Sequence, residues 1–287
     1  MVIDSTSKTI KLKDGRTLGY AEYGAPSGKP IFYFHGFPSS RIDWPIFDSD
    51  AIATRLNARI VAADRPGTGL SDFKRGRQIL DWPDDVIELA DALQVDRFGA
   101  LGISGGGPYA AACAFKIPQR LTATAIVSGM GPSEAPGAKD GTAMLLSGKT
   151  ALLRKILLML MAMGFRRNPD RFLSQMKDAV AAPDKLLLDQ SGVEQAFIYS
   201  IREAFRSGTR GAYHDAVLYK RPWGYQLQDI SMPIHIWHGD LDTQVPVSVG
   251  QYVANAIPNC QAKFLPEEGH LSLAHNYIEE ILNPLVV

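Results

Sequence analysis

The chain has 287 residues, 46% hydrophobic and 21% charged, a composition typical of a soluble globular protein with one α/β domain plus an insertion, or with two modest domains. Thirty basic side chains balance thirty acidic ones, which argues against nucleic acid or an anionic membrane as the main partner. The two cysteines lie far apart and form no CxxC or metal-ligand cluster, so we expect neither a disulfide scaffold, nor a metal, nor another cofactor.

The N-terminal sequence lacks the basic stretch and apolar core of a secretory signal peptide. The longest apolar run, 156–165, is too short to span a bilayer. We therefore predict a cytoplasmic enzyme with no membrane span.

Strand-like runs alternate with helix-like patterns along most of the chain. Two short alternating runs, 9–12 and 18–21, flank the dipeptide Asp14-Gly15, which is typical of a hairpin turn. Further strands are predicted at 31–34, 59–63, 98–103, 122–127, 233–237 and 262–265, and helices at 51–56, about 81–93, 109–115 and about 271–282. This alternation predicts an α/β fold with a mostly parallel central sheet and helices on both faces.

The alternation stops between residues 131 and 224. This stretch has helical patterns, many basic residues and methionines at 144, 159, 161, 163 and 176. We predict a core domain formed by 1–130 and 225–287, with 131–224 inserted as a helical cap over the carboxyl edge of the sheet. Most apolar side chains of the cap are expected to pack its own core, while some line an acyl-binding cavity.

The segment 102–106, Gly-Ile-Ser-Gly-Gly, carries the strongest functional signal. It joins the predicted strand 98–103 to an alanine-rich helix. Gly102 and Gly106 stand two positions on either side of Ser104 and relieve the crowding of a sharp strand-to-helix turn, as in a nucleophile elbow. The alternative is a glycine-rich connection that carries a surface serine. We predict that Ser104 is the nucleophile of a hydrolase.

A serine hydroxyl is a weak nucleophile, so it needs a base and a group that orients the base. Of the six histidines, His270 is best placed, on a loop between the last predicted strand and the final helix. Asp242 is favoured as the acid over Asp240, which lies nearer its strand and suits a turn-capping role, and over Glu134. The chain order nucleophile, acid, base is the one associated with an elbow.

The oxyanion formed by attack on a carbonyl needs fixed N–H donors. Gly105, directly after the nucleophile, offers one at the start of a helix. We predict the second donor to be Phe37, because Pro38 has no N–H and Gly36 lets the loop turn. His35 and His238 each precede a glycine at the end of a predicted strand, where they could help to shape the floor of the pocket.

Together these segments resemble the successive signatures of the α/β-hydrolase family, over nearly the full length of the chain. The matching segments are 35–38, 64–72, 102–106, 238–242 and 269–270. The resemblance implies an α/β-hydrolase fold with a cap, with Ser104 as nucleophile, Asp242 as acid and His270 as base. It also implies that the 64–72 loop is a structural turn. Serine at the elbow argues against epoxide hydrolases and haloalkane dehalogenases of this fold, which carry aspartate there.

The expected activity is hydrolysis of a small or medium apolar carboxylic ester, a small-molecule substrate, through an acyl-enzyme. The same triad could instead cleave a carbon–carbon bond in a diketone ring-fission product, open a lactone or catalyse perhydrolysis, because the cap selects the substrate. An alternative from a different functional class is a protein of this fold that binds a ligand without catalysis. The sequence leaves monomer and homodimer equally open.

Overall fold

Among the residues that the structure describes, eight strands form one sheet at the centre of the molecule. The computed structural model describes residues 5–47, 49–141 and 150–286. The strands are β1 (Lys8–Lys11), β2 (Thr17–Gly24), β3 (Lys29–Phe34), β4 (Ala58–Ala63), β5 (Phe98–Ile103), β6 (Leu121–Val127), β7 (Ile234–Gly239) and β8 (Cys260–Leu265). Their order is β1-β2-β4-β3-β5-β6-β7-β8, antiparallel from β1 to β4 and parallel from there on. The predicted mostly parallel sheet is thus confirmed.

The α-helices fall into two groups along the chain. They are α1 (Asp50–Arg55), α2 (Trp82–Ala92), α3 (Gly107–Lys116), α4 (Ala151–Arg167), α5 (Pro169–Lys177), α6 (Ala182–Leu188), α7 (Ser191–Ala204), α8 (Arg210–Leu218), α9 (Val247–Ala256) and α10 (Ser272–Leu282). Helices α1–α3 and α9 connect strands of the sheet, and α10 follows the last strand. Helices α4–α8 all lie in the stretch where the alternation stops, and no described residue of that stretch is in a strand.

The sheet is buried on both faces, which explains the continuous apolar runs of its central strands. Every residue of β5 is buried. One face packs against α2, α3 and α9, and the other against α1 and α10. Alanines make up much of α3, so this helix lies close to the sheet and its N-terminus sits directly after the turn at the end of β5.

Helices α6, α7 and α8 contact the loops that follow parallel strands. Asp184 of α6 bonds to the loop after β8, Ser200 of α7 to the loop after β3, and Asp215 of α8 to Arg65 after β4. These contacts place the helical stretch over the carboxyl edge of the sheet, where reactive groups gather in such folds. Across the described ranges, no helix combines the length and the apolar character that crossing a bilayer requires.

Candidate active site

Ser104 lies in the turn between β5 and α3 with strained backbone. Its φ is +54°, in the left-handed region that non-glycine residues rarely adopt. A Cβ on Gly102 would come within 2.5 Å of the Gly106 carbonyl oxygen, and a Cβ on Gly106 would overlap the Phe34 carbonyl oxygen. Both glycines are therefore required by close backbone approach, as the elbow pattern predicts.

His270 and Asp242 are in direct contact. The Nδ1 of His270 lies 2.7 Å from the Oδ2 of Asp242. The other carboxylate oxygen of Asp242 accepts the N–H groups of Gln244 and Val245, each at 2.8 Å. With Nδ1 donating its proton to the carboxylate, Nε2 is left as the basic nitrogen of His270.

The two partners shift each other's pKa in opposite directions. Burial by itself lowers the pKa of His270, but the charges of Asp242 and Asp184 outweigh it, so the pKa lies above the ordinary value of a histidine. Burial raises the pKa of Asp242, yet His270 and His238 hold it well below the usual range of a carboxyl. Asp242 is therefore ionised at neutral pH, and His270 is a stronger base than a free imidazole.

The other candidate acids lie elsewhere. Asp240 is exposed and accepts the N–H of Glu267 at 2.8 Å, so it stabilises a turn. Glu134 is exposed and lies 3.4 Å from the Ser133 hydroxyl. Neither touches His270 in the structure.

Ser104 and His270 border the same cavity of about 70 Å³. The loop after β3 contributes Gly36 and Phe37 to its wall. Apolar side chains from the helical stretch close it, namely Met161 of α4, Met176 of α5, and Phe197 and Ile201 of α7. Two of the methionines noted in the sequence thus line the cavity, whereas Met144 lies outside the described residues.

The loop after β3 lies against the elbow. A Cβ added to Gly36 would be 3.6 Å from the Cβ of Ser104, and one added to Gly105 would be 2.7 Å from the Cβ of Phe37. The two segments expected to supply oxyanion donors are therefore neighbours beside Ser104. His35 does not border the cavity; it is buried behind the loop, where burial and the Arg65 charge hold its pKa well below the ordinary value.

Sequence reasoning missed a buried charge network that supports this loop. Arg65 donates to the carbonyl oxygens of His35 and Gly36, the latter at 2.7 Å, and to Asp215 of α8 at 2.9 Å. Tyr219, directly after α8, donates its hydroxyl to the carbonyl oxygen of Gly105 at 2.9 Å. The loop after β3 is thus held by Arg65, which pairs with Asp215 at a separation of 150 positions, and the Gly105 carbonyl is held by Tyr219 at a separation of 114 positions. Contacts this far apart leave no local sequence signal.

Asp184 of α6 was also missed. Its buried carboxylate accepts the N–H groups of His270, Leu271 and Ser272 at 2.8, 2.8 and 2.9 Å. It thereby satisfies backbone donors at the start of α10 and fixes the main chain that carries the imidazole. In sequence, a Pro-Asp pair at the start of a helix looks like an ordinary first turn, so nothing marks this role.

The remaining histidines are not in the cavity wall. His238, expected like His35 to shape the pocket floor, instead packs behind Asp242, with its Nε2 3.3 Å from Oδ2. The others are His214 beside the carbonyl oxygen of Arg77, His235 beside Trp237, and half-buried His275 on α10. Within the described ranges, no group of three or more His, Cys, Asp or Glu side chains could hold a metal ion.

The sheet order, the elbow and the Asp–His pair define the class of protein, and comparison with known proteins agrees. The model of the alpha/beta hydrolase family matches residues 31–281, so the chain belongs to that family. A bifunctional esterase/perhydrolase from Acinetobacter calcoaceticus is 25% identical over 257 residues, covering 87% of this chain and 88% of the relative. A non-heme chloroperoxidase from Streptomyces lividans is 33% identical over 129 residues, covering 43% of this chain and 45% of that relative, less than half of either.

Solved structures show the same fold. A hydrolase from Pseudomonas aeruginosa superposes with a TM-score of 0.72 at 22% identity, covering 99% of this chain and 100% of the other. A thermophilic esterase from Thermogutta terrifontis superposes with a TM-score of 0.69 at 21% identity, covering 98% of this chain and 99% of the other. At these identities the similarity is one of fold, and the substrate has to be argued from the site.

Proposed function

We propose that the protein is a serine carboxylesterase that cleaves small or medium apolar esters through an acyl-enzyme. The observation that carries this proposal is the cavity shared by Ser104, on its strained elbow, and His270, which is paired with Asp242 at 2.7 Å. Acyl transfer needs a nucleophile, a base and an acid that orients the base, and this set supports assigning those three roles to Ser104, His270 and Asp242.

In the first half-reaction, the Oγ of Ser104 attacks the ester carbonyl carbon while the Nε2 of His270 takes the hydroxyl proton. Asp242 stabilises the resulting imidazolium through the Nδ1 hydrogen bond. The backbone N–H groups of Phe37 and Gly105 bind the oxyanion. The tetrahedral intermediate then collapses, His270 protonates the leaving alcohol, and the acyl group stays on Ser104.

In the second half-reaction, His270 removes a proton from water, which attacks the acyl carbonyl. Collapse of the second intermediate returns the proton from His270 to Ser104 and releases the carboxylic acid. No metal or organic cofactor enters either step. Catalysis depends on the fixed positions of these groups, which the contacts of Asp184, Arg65 and Tyr219 maintain.

The small cavity suits a short acyl group rather than a long chain. We propose that residues 131–224 act as the cap and that 1–130 with 225–287 form the core. In this arrangement Met161 and Met176 adapt the cavity to acyl groups of different shape.

Perhydrolysis is the second candidate, favoured by the esterase/perhydrolase relative that aligns over most of the chain. Hydrogen peroxide would then replace water as the attacking group on the acyl-enzyme, with a peracid as product. Assaying peracid and free acid side by side, at rising peroxide concentration, separates the two reactions. A panel of lactones and vinylogous diketones covers the remaining alternatives.

The proposal is tested by Ser104→Ala, assayed with a short-chain p-nitrophenyl ester. Ser128→Ala is the matched control, because Ser128 is buried at φ +47° but does not border the cavity. We expect Ser104→Ala to fold, as measured by circular dichroism, and to show no measurable turnover, while the control keeps its activity. Wild-type turnover by folded Ser104→Ala would refute the assignment.

A further inference from the structure

Apart from Ser104 and His270, the lining of the cavity is mostly apolar, and its polar exceptions are Tyr33, Ser39, Asp43 and Gln244. Asp43 and Tyr33 both border the cavity that contains Ser104. Asp43 is 3% exposed and Tyr33 0%. Within the described part of the chain, neither the Oδ1 of Asp43 nor the hydroxyl of Tyr33 makes a hydrogen bond of good geometry, although the Tyr33 hydroxyl and the Gly36 amide lie near enough to lower the pKa of Asp43. Buried polar atoms without well-oriented partners lower stability, so their presence beside a reactive cavity calls for a ligand that satisfies them.

The orientation of the Asp43 carboxyl group is fixed from the opposite side. Its Oδ2 accepts the hydroxyl of Ser39 at 2.6 Å. The Ser39 hydroxyl also lies 2.7 Å from that of Ser200 on α7. These contacts occupy one carboxyl oxygen and leave Oδ1 as the oxygen without a well-oriented donor.

The pair Asp43 and Tyr33 selects for one functional group. Ionised Asp43 only accepts hydrogen bonds, whereas the Tyr33 hydroxyl can donate one. A ligand hydroxyl satisfies both, since it donates to Asp43 and accepts from Tyr33. A methyl group satisfies neither, and a carboxylate would be repelled by the charge of Asp43.

We propose that Asp43 and Tyr33 form a subsite for a substrate hydroxyl group, so that the preferred substrates are hydroxy-substituted esters. This inference depends on the proposed function, because it assumes that Ser104 cleaves an ester in the same cavity. It narrows the substrate class from apolar esters to esters that carry a hydrogen-bonding group at one position.

The ionisation of Asp43 makes the subsite sensitive to pH. Burial raises the pKa of Asp43 to about 7, although the Ser39 and Tyr33 hydroxyls, the Gly36 amide and the Arg65 charge all act to lower it. The polar and charged groups around Asp43 come from several elements, namely Tyr23 of β2, Tyr33 of β3, Ser39 and Gly36 of its own loop, Arg65 after β4 and, through Ser39, Ser200 of α7. Above that pH the ionised carboxylate accepts the substrate hydroxyl strongly, and below it the acceptor is weakened.

The experiment compares methyl esters in pairs that differ by hydroxyl against methyl at one carbon. Suitable pairs are methyl 2-hydroxypropanoate with methyl 2-methylpropanoate, and methyl 3-hydroxybutanoate with methyl 3-methylbutanoate. The readout is the ratio of kcat/KM within a pair, in which the titration of His270 cancels because both members use the same base. We expect at least one pair to favour the hydroxy ester by about tenfold or more in the wild type.

Two variants of Asp43 test whether the subsite causes the preference. Asp43→Leu should reduce the ratio to about unity, because the hydroxy ester loses its acceptor. Asp43→Asn keeps the shape but cannot ionise, so its ratio should not change with pH, whereas the wild-type ratio should rise as pH passes through about 7. If Asp43→Leu does not fold, the pH dependence of the ratio in wild type and in Asp43→Asn still decides whether the subsite causes the preference.

Two results would overturn the subsite. One is turnover of both members at equal rates for every pair, and the other is a hydroxyl preference that neither Asp43 variant changes. Both leave the esterase proposal intact, since the esters are still cleaved. Absence of turnover for every ester would instead refute the esterase proposal and the subsite with it.

Discussion

Asp184 offers the sharpest test of how the helical stretch supports the reactive loop. In Asp184→Asn, the retained Oδ1 can still accept the N–H groups of Leu271 and Ser272. The new amide nitrogen replaces the oxygen that lies 2.8 Å from the His270 N–H, so two donors face each other. The substitution therefore removes one buried hydrogen bond to the main chain of His270.

Losing the acceptor of one buried donor costs about 1–3 kcal/mol, so we expect Asp184→Asn to reduce the free energy of unfolding by that amount. Asp184→Ala leaves all three donors without their acceptor and should cost about 3 kcal/mol or more. Asp178→Asn is the matched control, because Asp178 is exposed and its ion pair with Lys185 lies at the surface. That change should stay within about 0.5 kcal/mol.

The same variant should also shift the pH profile. The charge of Asp184 contributes to the raised pKa of His270, and the base must be neutral to accept the proton of Ser104. Removing the charge lowers the pKa of His270, so the acid limb of kcat/KM should move to lower pH.

Urea unfolding followed by circular dichroism gives the stability change, and turnover of a p-nitrophenyl ester between pH 5 and 9 gives the profile. The reasoning would be refuted if Asp184→Asn unfolded at the same urea concentration as Asp178→Asn and kept the wild-type acid limb.

Two further changes test the network that supports Gly105 and the loop after β3. Tyr219→Phe removes the hydroxyl that holds the Gly105 carbonyl at 2.9 Å. We expect kcat to fall several-fold with KM nearly unchanged and stability to drop by about 1 kcal/mol; steady-state kinetics showing an unchanged kcat would contradict this. Asp215→Asn leaves the buried charges of Arg65 and Arg77 without their partner and should cost about 3–5 kcal/mol in urea unfolding. Because these arginines hold the pKa of Asp215 below its ordinary value, its contribution is complete above about pH 4. The stability difference between wild type and variant should therefore shrink below that pH, and a constant difference would refute the account.

The sheet was largely predictable because its signals are local. The strand at 98–103 has the predicted bounds, since a strand buried on both faces is a continuous apolar run that ends at the glycines of the elbow. The hairpin at Gly15 was equally clear, because the turn needs a φ of +84° that glycine adopts readily. At the edge of the sheet the signal weakens, and β8 begins at Cys260, two residues before the prediction, where most side chains are exposed.

The buried residues that hold the loops of the site in place were not predictable, because they act through long-range contacts. Asp184 acts on a loop 86 residues away, and Asp215 acts on Arg65 across 150 residues. Tyr33 looks like one more apolar residue of a buried strand, and Asp43 like a polar residue of a surface loop. Asp43 is buried beside the cavity in a part of the fold where α7 packs against that loop, through the contact between Ser39 and Ser200.

Covalent labelling of Ser104 tests the central claim most directly. The protein would be incubated with a fluorophosphonate, a reagent that phosphonylates activated serines, and the modified peptide identified by mass spectrometry. The account predicts one label on Ser104, loss of ester hydrolysis in proportion to labelling, and no label in Ser104→Ala. Continued ester hydrolysis with Ser104 unmodified, or a label on another residue that abolishes activity, would contradict it.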